Sequence, residues 1–127
     1  EVLKKYKNIA LVGASKNLAK TSTVVMKYLQ DYGFKVYPVN PSMKGEIILG
    51  EKVFGSILEI DGPVEIVDVF RPSNEVAEIA KDAIKVKAKV LWLQLDIQNE
   101  EAKKIVEMND MIYIENKCTK IEYEKYF

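Results

Sequence analysis

The stretch that decides the fold lies near the start of the chain and reads Ala10-Leu11-Val12-Gly13-Ala14-Ser15-Lys16-Asn17-Leu18-Ala19-Lys20-Thr21-Ser22. Residues 8–12 are apolar enough to predict a buried strand, Gly13 ends it, and helical spacing begins at Thr21. A strand, a turn and a helix start in this order bring backbone N–H groups and the positive end of a helix dipole to one place, which favours an anion. The turn contains Lys16 and Lys20 and no acidic residue, so we predict a phosphate-binding turn.

The composition limits the class of protein. The chain has 127 residues, of which 48% are hydrophobic, so we expect a single domain of residues 1–127 that buries roughly two thirds of its unfolded surface. Nineteen basic and nineteen acidic residues give zero net charge, which argues against long-range attraction to nucleic acid or to a membrane. The one cysteine, Cys118, cannot form an internal disulfide, and no long apolar segment is present. We therefore expect a cytoplasmic protein.

Strand-like and helical segments alternate along the chain. Strands are predicted at residues 8–12, 34–39, 64–70, 90–95 and 111–114, with a brief edge strand at 52–54. Helices are predicted after caps at Thr21 or Ser22, at Ser73 and at Asn99, with a helical turn at 56–60. This alternation predicts a doubly wound α/β fold, Rossmann-like and three-layered, with a mostly parallel sheet. The sequence leaves open whether the tail, residues 121–127, packs on the domain or forms a partner surface.

Cationic residues follow the first strands of this predicted sheet. Ligands of open parallel sheets bind outside the carboxyl ends of the strands, so the segments that follow each strand should meet there. Residues 15–22, 40–45 and 70–74 contain Lys16, Lys20, Lys44 and Arg71 and no Asp or Glu. We therefore predict a cationic edge on a neutral protein, although a lysine-rich chain could produce the pattern by chance.

Arg71 is the only arginine in the chain. A guanidinium offers a planar fork for bidentate contact with phosphate or carboxylate, which lysine does not. Its position at a strand end favours a specific ligand contact. A salt bridge to a nearby acid such as Glu75 is the alternative.

The dinucleotide fingerprint is incomplete. The turn after the first strand lacks the second and third glycines of the G-x-G-x-x-G motif, and the second strand ends in Asn40-Pro41-Ser42 instead of an acid that would bind ribose hydroxyls. Lys44 follows shortly afterwards, which suits a phosphorylated ribose better than a free diol. Unmodified NAD is therefore disfavoured, whereas coenzyme A and NADP both remain possible.

Five motifs in order resemble the small CoA-binding domain family, which is similar in fold to the amino-terminal domain of the succinyl-CoA synthetase alpha subunit. They are Val12-Gly13-Ala14-Ser15, Pro38-Val39-Asn40-Pro41 with Gly45, Val67-Asp68-Val69-Phe70-Arg71, Leu91-Trp92-Leu93-Gln94 and Cys118-Thr119-Lys120-Ile121-Glu122. The resemblance covers nearly the whole chain and implies a domain that holds CoA at the carboxyl edge of the sheet.

The resemblance also implies a set of ligand contacts. The pyrophosphate would lie by Gly13, Ser15 and Ser22, and the adenosine end by Asn40, Pro41 and Lys44. Phe70 and Arg71 would line the cleft, and Gln94 with residues 116–118 would lie nearer the pantetheine arm. The full expected set is Gly13, Ala14, Ser15, Lys16, Thr21, Ser22, Val39, Asn40, Pro41, Lys44, Phe70, Arg71, Gln94, Asn116, Lys117 and Cys118.

The chain departs from the family pattern in ways that bear on function. Thr21 and Thr119 stand where members often have proline, and there is no histidine, so the phosphohistidine chemistry of the synthetase is impossible in this chain. We therefore expect binding of CoA or an acyl-CoA without catalysis, with a possible protein partner. The alternatives are an NADP-binding reductase-like domain, an acyl-CoA-handling subunit that needs a partner, and an interaction domain that has lost its ligand.

Four further residues have two interpretations each. For Asp68, which interrupts an apolar strand, a structural hydrogen bond to a helix start is favoured over a role as a catalytic base, because no partner for base chemistry is evident. Trp92 is expected in the core, with a ligand platform as the alternative. Gln94 is open between ligand contact and satisfaction of backbone groups. Cys118, between two lysines, is expected to be partly buried and inert, with a mixed disulfide to CoA as the alternative.

Overall fold

Strands and helices alternate along residues 2–127, the part of the chain that the computed structural model describes. The strands are β1 (Asn8–Val12), β2 (Lys35–Val39), β3 (Ile47–Ile48), β4 (Glu51–Lys52), β5 (Ile66–Val69), β6 (Val90–Leu93) and β7 (Ile112–Ile114). The helices are α1 (Val2–Lys5), α2 (Thr21–Asp31), α3 (Val76–Lys85), α4 (Glu100–Glu107) and α5 (Thr119–Tyr126). Short 3-10 turns occupy Pro41–Met43, Ile57–Glu59 and Ser73–Glu75. No helix among residues 2–127 has the length and hydrophobicity needed to span a membrane.

Five parallel strands form the main sheet in the order β2-β1-β5-β6-β7. The chain first moves outward from β1 to β2 and then returns to the other side of β1, so the strand order reverses between β1 and β5. Beyond β2, the hairpin of β3 and β4 leads to Phe54, which forms a parallel bridge with Val39. This bridge accounts for the edge strand predicted near residues 52–54.

Helices cover both faces of the sheet, which confirms the predicted α/β architecture. Side chains alternate along each strand, so Ala10 and Val12 of β1 join one apolar cluster with α3 and α4. Ile9 and Leu11 join a second cluster on the opposite face, with α1, α2 and the start of α5. Both faces are thus buried, which explains the continuous apolar strands of the sequence.

Two of the three predicted helix caps are wrong. Lys20 occupies the position before α2 and provides no side-chain cap, so neither Thr21 nor Ser22 caps that helix. Ser73 begins a 3-10 turn instead of capping α3, and its hydroxyl accepts a hydrogen bond from the N–H of Gln98 at 3.2 Å. Asn99 is confirmed, because its side chain accepts from the N–H of Ala102 at 2.8 Å.

The tail folds back on the domain as α5. Tyr123 lies against Phe34 with ring centroids 5.6 Å apart, against Tyr32 at 5.1 Å and against Phe127 at 4.4 Å. These aromatic contacts fix a helix whose apolar residues do not line one face, and they answer the question that the sequence left open.

A buried polar cluster ties α5 to the sheet. Asp68 of β5 is fully buried and accepts hydrogen bonds from the hydroxyl of Thr119 at 3.0 Å and from the amide of Gln94. The Gln94 amide also donates to the Thr119 hydroxyl at 3.2 Å. Since Thr119 is the first residue of α5, the predicted structural hydrogen bond between Asp68 and a helix start is confirmed. Burial raises the pKa of Asp68 to about 7, although both hydrogen bonds act to lower it.

We predict that Asp68 makes the fold less stable as the pH rises from about 4 to about 7. The carboxyl has an ordinary pKa of 3.8 and a folded pKa of about 7, so in this window the folded protein keeps a proton that the unfolded chain releases. The free energy of unfolding should therefore fall by up to about 1.4 kcal/mol per pH unit from this group. Urea unfolding between pH 5 and pH 7.5 measures the slope.

The variant Asp68→Asn should lose this part of the pH dependence of the free energy of unfolding. The variant Asp61→Asn, which changes an exposed carboxylate, should keep it. An identical pH dependence in the native chain and in Asp68→Asn would show that the Asp68 proton is not linked to folding.

Candidate functional site

A cavity of about 440 Å³ opens at the carboxyl ends of β1 and β2, beside the segment that follows β5. This is where the strand order reverses, and ligands of open α/β sheets bind at such a point. Val12, Val39, Ile57 and Ile79 supply apolar walls, and the polar lining comes from the loops that follow the strands. The fold thus places a cavity of mixed polarity where the sequence predicts a ligand.

Gly13 sets the shape of this cavity. Its φ is +100°, and a Cβ atom at this position would lie 2.8 Å from the carbonyl oxygen of Phe70 and 3.1 Å from Cδ of Arg71. The N–H groups of Gly13 and Ala14 both donate to the carbonyl of Val39, at 2.9 and 3.2 Å. Only glycine permits this conformation and this approach, so the ends of β1, β2 and β5 meet closely at one turn.

The loop from residue 14 to residue 20 is held by its own hydrogen bonds. The hydroxyl of Ser15 accepts from the N–H of Asn17 at 3.1 Å, and the Asn17 side chain accepts from the N–H of Ala19 at 2.9 Å. The Thr23 hydroxyl donates to the carbonyl of Ser15 at 2.7 Å. Because no side chain caps α2, its first N–H groups and its dipole remain available to an anion.

Asn40 joins the loop after β2 to the loop after β1. Its side-chain oxygen accepts from the N–H of Ser42 at 3.0 Å and from the Ser42 hydroxyl at 2.8 Å, and its amide donates to the carbonyl of Ala14 at 2.8 Å. The Asn40 backbone N–H donates to the carbonyl of Phe54 at 2.9 Å. Asn40 therefore positions the cavity wall, and Pro41 beside it also lines the cavity.

The predicted cationic edge is balanced by carboxylates, which corrects the expectation of an acid-free edge. Lys16 pairs with Glu46, and Lys44 pairs with Glu59 at 3.1 Å. Glu46 and Glu59 lie outside the segments that directly follow the parallel strands. The positive charge of the site is therefore partly neutralised within the protein.

Arg71 forms the ion pair that the sequence offered as an alternative. Its Nε donates to Glu75 Oε1 at 2.9 Å, and a terminal nitrogen donates to Oε2 at 2.7 Å. The hydrogen bonds from Arg71 lower the pKa of the Glu75 carboxyl. The hydrogen bond from Lys44 lowers the pKa of Glu59, and the backbone N–H of Gly55 lowers it further. Both carboxylates are thus held in the ionised form that pairs with the cations.

The residues predicted to contact the ligand lie on two faces of the sheet, and only some of them line the cavity. Gly13, Val39, Asn40, Pro41 and Arg71 line the cavity, and Lys44 lies beside it at Gly55. Phe70 packs on the opposite face of the sheet, where Ala14 is also buried. In the first turn of α2, Thr21 is exposed and Ser22 is buried.

The residues predicted near the far end of the ligand lie on the α5 side of the sheet. Gln94 is buried and its amide is engaged with Asp68 and Thr119. Asn116 has a φ of +55° and accepts from the N–H of Asp96 at 2.7 Å. Trp92 is in the core and donates to the carbonyl of Lys117 at 2.7 Å. Cys118 is buried just before α5.

Sequence reasoning missed the wall of the cavity opposite the loops. Gly55 and Ser56 follow the Phe54 bridge, Glu75 directly precedes α3, and Ile79 and Asp82 lie on α3. A signal was present in both cases. Gly55-Ser56 directly follows the predicted edge strand, and residues 75, 79 and 82 have the spacing of one helix face.

The arrangement suits an anionic ligand with an apolar ring better than it suits a metal. No group of three or more His, Cys, Asp and Glu side chains within the described residues could hold a metal ion. The apolar walls, the glycine turn and the side chains of Lys44 and Arg71 suit an anionic ligand that also has an apolar part.

Comparisons with known proteins agree with this geometry. The uncharacterized protein YneT of Bacillus subtilis (strain 168) is 37% identical over 123 residues, which are 97% of this chain and 90% of that protein. A hypothetical protein from Pyrococcus horikoshii OT3 has a solved structure with a TM-score of 0.92 and 40% identity, covering 98% of this chain and 86% of the other.

One relative has a named activity. The ADP-forming acetate–CoA ligase of Methanocaldococcus jannaschii is 32% identical over 76 residues, which are 60% of this chain and 10% of the ligase. A family model described as a CoA binding domain matches residues 7–124. The chain therefore belongs to the CoA-binding domain family.

Proposed function

We propose that the chain binds coenzyme A or an acyl-CoA in the cavity at the ends of β1 and β2 and performs no turnover of its own. The observation that carries the proposal is the convergence of Gly13, Asn40 and Arg71 on one cavity at the point of strand reversal. Family membership supports the same ligand. The cavity is large enough for the adenosine part of CoA, and its open side leaves room for an extended pantetheine arm.

The charged groups suit the phosphates of this ligand. The side chains of Lys44 and Arg71 are 62% and 44% exposed, so both can move toward a ligand in the cavity. Arg71 offers two parallel N–H donors to the pyrophosphate. Lys44, which follows Asn40 and Pro41, is assigned to the 3′-phosphate, the group that distinguishes CoA from dephospho-CoA.

The ionisable groups support binding without turnover. Glu75 and Asp82 line the cavity, but the pKa of Glu75 is lowered by Arg71, which makes it a poor base at neutral pH. Asp68, whose pKa burial raises to about 7, is fully buried against Gln94 and Thr119. It is enclosed on the face opposite the cavity and is unsuited to proton transfer with a ligand there.

A protein partner would supply any chemistry on the bound ligand. The Methanocaldococcus jannaschii ligase contains the matched region as 10% of its length, so most of that enzyme lies outside the region shared with this chain. We infer that this chain presents CoA or an acyl-CoA to another protein in a similar way. Its binding role then needs no catalytic group at the cavity.

Thermal unfolding with CoA, dephospho-CoA and NADPH tests the proposal. A ligand that binds only the folded state stabilises it by about 2.7 kcal/mol at a hundredfold excess over its dissociation constant. We expect a clear rise in melting temperature with CoA and smaller rises with dephospho-CoA and NADPH. A larger response to NADPH would favour the reductase-like alternative, and no response to any of the three would refute the proposal.

We predict that Lys44→Ala raises the dissociation constant for CoA about tenfold, because one charge-assisted contact to the 3′-phosphate is lost. Affinity for dephospho-CoA should change little. Isothermal titration calorimetry measures both ligands. Lys27→Ala is the matched control, since Lys27 also pairs with an acid, Asp31, but lies on the exposed side of α2. Equal losses for the two ligands would disprove the assignment of Lys44 to the 3′-phosphate.

We predict that Arg71→Lys weakens CoA binding about three- to tenfold although the charge is kept, because lysine cannot form two parallel hydrogen bonds. CoA and dephospho-CoA should be affected alike, since both contain the pyrophosphate. Lys81→Ala is the control. Lys81 pairs with Glu78 at 2.9 Å, and both residues lie on α3 and do not line the cavity. Full affinity in Arg71→Lys would rule out a bidentate role for Arg71.

A further inference from the structure

Each cation assigned to a ligand phosphate is held by a carboxylate of the protein. We infer that Glu59 and Glu75 are exchangeable counterions that occupy Lys44 and Arg71 in the free protein and lose them to the ligand's phosphates on binding. These two carboxylates then set the affinity and part of the selectivity of the site. This inference rests on the proposed function and adds to it the groups that compete with the ligand.

The pair of Arg71 and Glu75 occupies one of the two guanidinium edges that can donate two parallel hydrogen bonds to a pyrophosphate. Both residues line the cavity, and the pair uses Nε and one terminal nitrogen of the guanidinium at 2.9 and 2.7 Å. A phosphate cannot accept two parallel hydrogen bonds from that edge while the carboxylate is in place. Glu75 is 43% exposed, so its side chain can turn into solvent once it is displaced.

The pair of Lys44 and Glu59 lies at the neighbouring wall. The Lys44 nitrogen is 3.1 Å from Glu59 Oε2, while Glu59 Oε1 accepts the N–H of Gly55 at 2.9 Å. The bond to Gly55 keeps Glu59 in place when Lys44 moves away. A Cβ at Gly55 would lie 3.2 Å from Cδ of Lys44, so the lysine stem passes directly over a backbone that lines the cavity.

Competition from the carboxylates lowers the affinity of the site for the ligand in two ways. A phosphate that binds the donors now in use breaks a carboxylate pair at each cation, and the freed carboxylate stays near the new anion. Asp82, a third carboxylate at the cavity, adds to the negative charge that the ligand meets. Replacing Glu59 or Glu75 by glutamine removes the competing charge and keeps the size of the side chain, and a glutamine at 59 can still accept the Gly55 N–H.

The test measures CoA and dephospho-CoA affinities of the native chain, Glu59→Gln and Glu75→Gln by isothermal titration calorimetry. We expect Glu75→Gln to tighten binding of both ligands about two- to fivefold, the range expected for releasing a half-exposed ion pair. Glu59→Gln should tighten CoA binding by a similar factor and leave dephospho-CoA unchanged, since Lys44 is assigned to the 3′-phosphate.

Glu78→Gln is the matched control. It removes the same charge close by, from α3 directly after the turn that contains Glu75, at a carboxylate paired with Lys81 that does not line the cavity. This variant should bind both ligands as the native chain does. Affinities equal to or weaker than native in both Glu59→Gln and Glu75→Gln would overturn the inference and leave CoA binding itself intact. Equal tightening in Glu78→Gln would also overturn it, by showing an effect of net charge alone. No CoA binding by the native chain would refute the proposed function and this inference together.

Discussion

The close approach of Gly13 to the end of β5 is the constraint on which the site depends. The turn after β1 lies between two neighbouring strands: its N–H groups bond to Val39 at the end of β2, and its Cα faces the carbonyl of Phe70 after β5. A methyl group there would meet that oxygen at 2.8 Å, in a backbone conformation that L residues rarely adopt. Because the three strand ends converge only around glycine, the loops that follow them share one cavity.

Hydrogen bonds connect the loops around the cavity, whereas its two nearby cations form ion pairs that are partly exposed to solvent. Backbone bonds and the Asn40 side chain connect the loops after β1 and β2 and use most of the polar groups at the turn. The ion pairs of Lys44 and Arg71 lie at half-exposed side chains instead, where such pairs contribute little to stability. Loss of either ion pair should therefore cost the fold little stability.

The sequence predicts the strands and the first loops well because their signals are local. Gly13, Asn40 and Arg71 each follow an apolar run, and a parallel sheet necessarily brings such positions to one edge. The carboxylates that pair with Lys16 and Lys44 lie 30 and 15 residues further along the chain. Nothing in a linear pattern pairs them, since their proximity results from the β3–β4 hairpin and the turn at Ile57–Glu59. The composition correctly predicts a protein with no net charge. It does not show that carboxylates also pair with the cations near the cavity.

The same limit explains the residues that were assigned to the far end of the ligand. Alternation along β6 puts Gln94 on the face of Trp92, and on that face the buried Asp68 takes up its amide. A lone buried carboxylate needs donors, and Thr119 at the start of α5 supplies the second one. The cavity lies on the α3 side of the sheet and this cluster on the α5 side, so the polar residues of the sequence serve two separate purposes. One group holds the last helix on the sheet, and the other forms half-exposed ion pairs near the cavity. Because the two groups lie on opposite faces of the sheet, substitutions at Glu59 and Glu75 should not disturb the buried cluster around Asp68.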